Sequence, residues 1–196
     1  GTLIEHRSLL NFTHAASEAY RITGSDRVLQ FASLSFDTSA EEIFPTLTKG
    51  ATLVLRTDSM LSSTRHFLQA CGEFGITVLD LPTAYWHELT DDLAADKLSL
   101  PECIRLVILG GEKALPERLA AWRERSGDSV RLINTYGPTE TTIVATMCDL
   151  SAVDANAVSE APIGRPIANA VAYVLDPTRR PVAVGLPGEL YIGGAG

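Results

Sequence analysis

The sequence predicts an α/β fold: parallel βαβ sheet layers with helices on both faces, followed by the start of a small antiparallel or barrel subdomain. Short apolar runs alternate with amphipathic segments of helical length through most of the chain, the arrangement that builds βαβ units around a parallel sheet. Gly and Pro punctuate the junctions between these segments. The last stretch then changes style, to short strand-like runs joined by Gly/Pro-rich turns at Asp176-Pro177, Gly185 and Pro187-Gly188.

In chain order, residues 8–20 read as a helix whose apolar face is carried imperfectly by Leu9, Leu10, Phe12 and Ala16. A short strand is expected over 27–32. A helix follows over 39–47 despite Pro45, with Glu41 and Glu42 in its first turn, where the helix dipole favours them. Gly50 leads into a strand over 51–55. Ser62 or Ser63 caps a helix over 63–74. The run 76–81 is a buried strand, and Pro82 opens a helix to about residue 93. A strand over 105–109 ends in Gly110-Gly111-Glu112, a helix spans 116–125, and 130–133 is a strand leading into a polar loop at Asn134. Two further strands are expected over 171–175 and 189–192. The expected division is a βαβ part over 1–150 and the start of a β-rich subdomain over 151–196. The chain opens on Gly1 without Met and stops just after a strand-like run, so an internal fragment, truncated at both ends, is expected.

The composition is globular, with 45% hydrophobic and 20% charged residues in 196. A net charge of −8 without a basic patch argues against nucleic acid or an anionic membrane surface as partner. Cys71, Cys103 and Cys148 are far apart and odd in number, which gives neither a disulfide framework nor a metal spacing and suits a reducing, cytoplasmic setting. No signal peptide or membrane-length apolar run is present.

The chemistry concentrates in Asn134-Thr135-Tyr136-Gly137-Pro138-Thr139-Glu140. This string follows an apolar strand, is broken by Gly-Pro, and is succeeded by the β-branched run Thr141-Thr142-Ile143-Val144. Open α/β sheets bind ligands at the carboxyl ends of their strands. An amide, an aromatic face, a hydroxyl and a carboxylate in one such place suit a purine, a phosphate and a hard cation. Two other places carry comparable signals. Phe36-Asp37-Thr38-Ser39 opens a helix, where Asp37 or Ser39 could serve simply as a cap. Gly110-Gly111-Glu112 is a tight turn after a strand.

Taken together and in order, these strings closely resemble the adenylate-forming enzymes, most nearly the amino-acid-activating adenylation domain of nonribosomal peptide synthetases. Glu5-His6-Arg7-Ser8-Leu9 resembles the sequence after that family's phosphate loop, of which only the last glycine could be present, as Gly1. Gly188-Glu189-Leu190-Tyr191-Ile192-Gly193-Gly194 resembles a later family motif and is assigned structure, as is His6. The resemblance covers the whole chain. It implies that Asp37 binds the α-ammonium of an amino-acid substrate, with Phe36 bordering the pocket. Acyl- and aryl-activating relatives have no such ammonium to bind. It implies a nucleotide site made by Gly110, Gly111, Glu112, Asn134, Tyr136, Gly137 and Thr139, with adenine between the glycine backbone and Tyr136. Glu140 is the implied Mg²⁺ ligand, and Thr139 contacts the reacting phosphate.

The same resemblance lines a side-chain pocket with Asp37, Thr38, Glu41, Asp80, Ile108, Gly110, Thr135, Ile143 and Val144. Most are small or apolar; Glu41 and Asp80 are not. Each has an ordinary reading, Glu41 as a solvated first-turn acid and Asp80 as a strand-end residue bonding a local amide or capping the helix after Pro82. If both face one pocket, their charges repel unless a cation lies between them. A basic substrate is therefore expected, lysine first and ornithine or another diamino acid next, with Gly110 leaving room for a long chain. The implied activity is ATP-dependent formation of an aminoacyl adenylate with Mg²⁺, then transfer to the phosphopantetheine thiol of a carrier domain, with carrier and condensation domains in the same polypeptide. The ribose-binding aspartate, most of the phosphate loop and the catalytic lysine of the family match nothing here, so these residues alone are expected to be inactive or nearly so. The alternatives are an acyl-CoA synthetase-like adenylating enzyme, against which Asp37 argues, and a non-catalytic nucleotide-binding α/β domain. A dinucleotide oxidoreductase is disfavoured, because no Gly-x-Gly-x-x-Gly opens a first βα turn.

Overall fold

The structure is a computed structural model and describes residues 1–127, 129–155 and 157–196. Helix α1 (His6–Tyr20) precedes β1 (Arg27–Gln30), α2 (Thr38–Thr48), β2 (Thr52–Leu55), α3 (Thr64–Glu73), β3 (Val78–Pro82), α4 (Thr83–Ala95), β4 (Leu106–Gly110), α5 (Pro116–Ser126) and β5 (Arg131–Tyr136). Strands β6 (Thr146–Asp149) and β7 (Arg165–Pro166) extend the same sheet, and β8 (Ala170–Leu175) pairs with β9 (Glu189–Gly194) in a separate two-stranded sheet.

The large sheet runs β2-β1-β3-β4-β5-β6-β7. Its first five strands are parallel and the last two join antiparallel. The chain steps from β1 outward to β2, then crosses back over β1 to β3 and continues the other way. Right-handed crossovers in opposite directions put their helices on opposite faces. Accordingly α2 lies beside α1 on one face, and α3, α4 and α5 cover the other. Alternation along each strand sorts the residues between the two. Leu79 and Leu81 of β3, with Val107 and Leu109 of β4, pack against Phe67, Trp86 and Trp122. Val78, Leu106 and Ile108 face Phe12, Ala16 and Tyr20 of α1. Asp80 shares the parity of Val78 and so points to the α1/α2 side.

Boundaries shift from the expected ones for local reasons. The first helix begins at His6 rather than residue 8, because the Glu5 carbonyl already accepts from Ser8 and Leu9 amides at 3.0 and 3.2 Å. Its buried face is Phe12, Ala15, Ala16 and Tyr20, a true helical spacing, and Leu10 points outward at 68% exposure. Ser63 is the cap of α3, its hydroxyl accepting from the His66 amide at 3.2 Å. Pro82 closes β3 rather than beginning α4.

The larger correction concerns residues 134–144. Asn134, Thr135 and Tyr136 are not loop but the end of β5, paired with Cys148, Met147 and Thr146. Strand β6 arrives from later in the chain and supplies the ladder that local polarity argued against. The β-branched residues 141–144 form no strand. Thr142 and Ile143 take left-handed backbone, φ 58° and 69°, which is costly for β-branched residues. Gly137 makes that reversal possible: a Cβ there would lie 2.5 Å from the Ile143 carbonyl oxygen.

At the amino end of the sheet a buried ion pair ties four elements together. Asp26 is 3% exposed and receives Arg105 through two N–H groups, at 2.7 and 2.8 Å. The Thr23 amide and Thr77 hydroxyl also donate to it, at 2.8 and 2.7 Å. Arg105 reaches on to the Tyr20 and Arg21 carbonyls at 3.1 and 3.0 Å, anchoring the end of α1. Burial pushes the Asp26 carboxyl upward, but Arg105, Thr23 and Thr77 outweigh it and hold it down at about 2. Its stabilising contribution is therefore complete above the ordinary carboxylate value of 3.8 and is lost as pH falls through about 2. Asp26→Ala, which leaves the one-third-exposed Arg105 with only its two carbonyl partners, is expected to cost about 1.5–3 kcal/mol in urea denaturation at neutral pH. The loss should shrink on acidification toward pH ~2.

Candidate active site

The carboxyl ends of all five parallel strands converge on one cleft of about 510 Å³. Phe31, Ala32 and Ser33 follow β1, Arg56 follows β2, Asp80, Leu81 and Pro82 end β3, Gly110, Gly111 and Glu112 end β4, and Thr135 and Gly137 end β5. The first turn of α2 adds Phe36, Asp37, Thr38 and Glu41, and the reversal after β5 adds Ile143 and Val144. The floor is the switch point between β1 and β3, which touch in register only at Val28–Val78 and splay apart beyond it.

Of the expected side-chain pocket, all but Ile108 line this cleft. Ile108 lies beside Asp80 in register, buried in the α1-side core. Gly110 has no room for more: an added Cβ would meet the Thr135 hydroxyl at 2.8 Å, and that hydroxyl donates to the Leu109 carbonyl at 2.7 Å. Of the expected nucleotide residues, Gly110, Gly111, Glu112 and Gly137 border the cleft. Tyr136 is 41% exposed on the neighbouring strand end. Asn134 is buried; its amide N–H donates to the Pro162 carbonyl at 2.9 Å and its Oδ1 has no partner.

Thr139 lies elsewhere, in a second cleft of about 200 Å³ with Ile4, His6, Leu9, Asp37, Ala40, Thr142 and Ile143. Asp37 and Ile143 border both clefts. His6 is exposed and borders this second cleft. Glu140 is exposed in the short turn Thr139–Thr141 and borders neither cleft. Among the described residues no group of three or more His, Cys, Asp or Glu is placed to hold a metal. A lone carboxylate of this kind suits Mg²⁺ that brings its own phosphate oxygens.

The two acids are neither solvated nor capping. Asp37, not Glu41, precedes α2, and its side chain makes no cap bond. Glu41 is 5% exposed and accepts from the Tyr20 hydroxyl; Asp80 is 2% exposed and its Oδ2 has no partner. Burial pushes Glu41 up to about 7, helped by Glu42 and Asp37 and opposed by the Tyr20 hydrogen bond. Burial raises Asp80 well above the usual carboxylate range, with Glu41 and Glu42 adding to it.

Two residues take roles that the sequence pattern did not reveal. Glu42, 1% exposed, accepts from the Phe31 and Ala32 amides at 2.8 and 2.9 Å and from Gln30 at 3.0 Å, clamping the cleft wall to α2. Arg56 lies 5.2 Å from the centre of the Phe31 ring, within cation–π range, and its charge draws on Glu42. Its position directly after a strand at the ligand-binding edge was the only available signal.

The family model described as AMP-binding enzyme matches residues 1–196. The chain is 51% identical over 176 residues to an isonitrile lipopeptide synthase of Streptomyces coeruleorubidus, covering 90% of this chain and 12% of that protein. It is 41% identical over its whole length to a component of the linear gramicidin synthase of Brevibacillus parabrevis, of which it spans 2%. Among solved structures, the Klebsiella oxytoca NpsA N-terminal subdomain, in complex with 3-hydroxybenzoyl-AMSN, superposes with a TM-score of 0.83 at 24% identity, over all of this chain and 48% of that one. An artificially fused adenylation–PCP di-domain, NpsA-ThdA, matches equally well over 38% of its length. With the family's model matched from end to end and the fold shared, this chain belongs to the AMP-binding enzyme family.

Proposed function

We propose that this chain carries the substrate pocket of an adenylate-forming ligase that activates a basic amino acid, lysine first and ornithine next, in nonribosomal peptide synthesis. The observation that carries this reading is the placement of Asp37 between two clefts. An amino acid whose α-ammonium pairs with Asp37 would send its side chain toward Glu41 and Asp80 and its carboxylate toward Thr139. Charge-assisted pairing of an ammonium with the Asp37 carboxylate favours that pose. The two buried acids carry the choice of side chain. They oppose each other's ionisation until a cation arrives, and a point-charge ammonium fits between them. Arg56 lines the same cleft, but it lies over Phe31 and its charge acts on Glu42 rather than on Glu41 or Asp80.

The nucleotide reading rests on three features. Gly110 and Gly111 border the cleft at the end of β4, and Tyr136 is exposed at the end of the neighbouring strand β5, the two sides between which the resemblance would hold adenine. Asn134, which the resemblance assigns to the exocyclic amino group of adenine, keeps an unpartnered Oδ1 but is buried and borders neither cleft. Thr139 borders the smaller cleft, and Glu140 follows it in the exposed turn Thr139–Thr141. The chain's own work in the reaction is to position: Asp37 fixes the substrate so that its carboxylate meets the α-phosphate of ATP, and pyrophosphate departs. Mg²⁺, held by Glu140 together with phosphate oxygens, would offset charge on the departing group. Transfer to a phosphopantetheine thiol on a carrier domain would follow, in an assembly that also bears condensation domains. The relatives' names and the fused adenylation–PCP structure support that setting. We assign residues 1–150 to the catalytic core and 151–196 to the β-rich subdomain. A cytoplasmic setting is the reading that three free cysteines support. Among the described residues, no helix is long and apolar enough to cross a membrane.

ATP–pyrophosphate exchange by the complete domain should favour lysine over neutral amino acids; a preference for valine would refute the pocket reading. Glu41→Gln and Asp80→Asn should each lower kcat/KM for lysine by about tenfold or more, as loss of a charge-assisted bond predicts, and affect norleucine far less. Stability should follow the same acids. Glu41, raised from 4.5 to about 7, gives full stability below its ordinary value and loses it as pH rises through about 7; Asp80 acts in the same direction. The melting temperature of the unliganded protein should therefore fall between about pH 5 and pH 8, and the Glu41→Gln/Asp80→Asn double variant should flatten that fall.

A further inference from the structure

Tyr20 is the last residue of α1 and is 1% exposed, outside the cleft. A residue at that place on an apolar helix face reads as core. Yet its hydroxyl is aimed at the Glu41 carboxylate, while its backbone carbonyl is held by Arg105 at 3.1 Å. The helix end is thus pinned from behind, and the phenol reaches forward from a fixed base. Burial holds the phenol well above its ordinary value of 10.0, so it stays protonated and can only donate to Glu41.

We propose that Tyr20 is a positioning residue for substrate selection: from outside the cleft it occupies Glu41 Oε1, fixes the carboxylate, and leaves Oε2 as an acceptor for a side-chain ammonium that also meets the unpartnered Asp80 Oδ2. The inference rests on the basic-substrate reading and deepens it. Glu41 has few alternatives. The groups around it are Asp37 and Glu42 on its own helix and Asp80 on β3, all acids. Arg56, beyond β2, is engaged with Phe31 and Glu42. Without the phenol, the Glu41 carboxylate would have no neutral donor of its own and would hold its proton to higher pH, which removes the acceptor that an ammonium needs.

The test is ATP–pyrophosphate exchange by the complete adenylation protein with lysine and with norleucine, which has the same carbon chain without the terminal ammonium. Tyr20→Phe should raise KM for lysine by about tenfold, the effect of losing one bond to a charged group, with kcat little changed and norleucine unaffected. The acid limb of kcat/KM for lysine should move to higher pH. In the Glu41→Gln background, Tyr20→Phe should change lysine kinetics no further, and that double variant keeps the test available if the single one does not fold. Incorporating 3-fluorotyrosine at position 20, a stronger donor of nearly the same shape, should move the acid limb to lower pH. Equal losses for lysine and norleucine, an unmoved acid limb, or a full effect persisting without Glu41 would each overturn the role of Tyr20. Wild-type preference for norleucine would overturn the basic-substrate reading and this inference with it. Wild-type preference for lysine together with a silent Tyr20→Phe would overturn this inference alone.

Discussion

The pairing of Asp26 with Arg105 determines where the rest of the site lies. It sits at the amino edge of the sheet, far along the strands from the cleft, yet it joins the end of α1 to the beginnings of β1, β3 and β4. A buried pair of this kind adds little net stability over an apolar substitute, but it tolerates only one geometry. With α1 held in that geometry, Tyr20 has one place to aim its hydroxyl, and Glu41 is the group that meets it. The acid in the cleft is thus set by an ion pair at the opposite edge of the sheet.

Opposite constraints act at the carboxyl edge. The strands there diverge at the β1–β3 switch, and an opening between them needs walls that do not collapse. Glu42 supplies one by holding the two amides past β1, which would otherwise be unsatisfied. The Phe31 ring, packed edge-on to Phe67 and tilted against Tyr85, supplies another, and Arg56 covers its outer face. The third is the reversal at Thr142 and Ile143, whose left-handed backbone is held by the Ala145 amide donating to the Tyr136 carbonyl at 2.8 Å. These walls keep two buried acids in one cleft whose lining cation, Arg56, lies over Phe31 and acts on Glu42, a state that is comfortable only when protons or a ligand supply the missing charge.

Much of this was legible in the sequence because it follows from short-range periodicity. The alternation of Val78 to Leu81 places Asp80 on one face whatever the neighbours are, and the Gly-Gly and Gly-Pro strings mark strand ends. What escaped was decided by distant partners. Asn134 to Tyr136 look like loop until β6 returns to pair with them. Tyr20 looks like core because nothing local reveals that its hydroxyl meets a residue 21 positions away. Glu41 and Glu42 are adjacent and chemically alike, yet one lines the cleft and the other braces a strand end, because successive helix positions differ by about 100° of rotation. Arg56 has no pattern of its own and becomes meaningful only when β2 is seen to end beside Phe31.

The division of strand residues by parity has a further consequence for how such a protein can diversify. The large apolar side chains that hold the sheet to α3, α4 and α5 occupy the face away from Glu41 and Asp80. The side chains that would recognise a substrate are scattered singly, one or a few at each strand end. Exchanging them changes what the cleft welcomes while leaving the opposite core intact. A new specificity can therefore arise through isolated point replacements at strand tips, with no rebuilding of the scaffold beneath them.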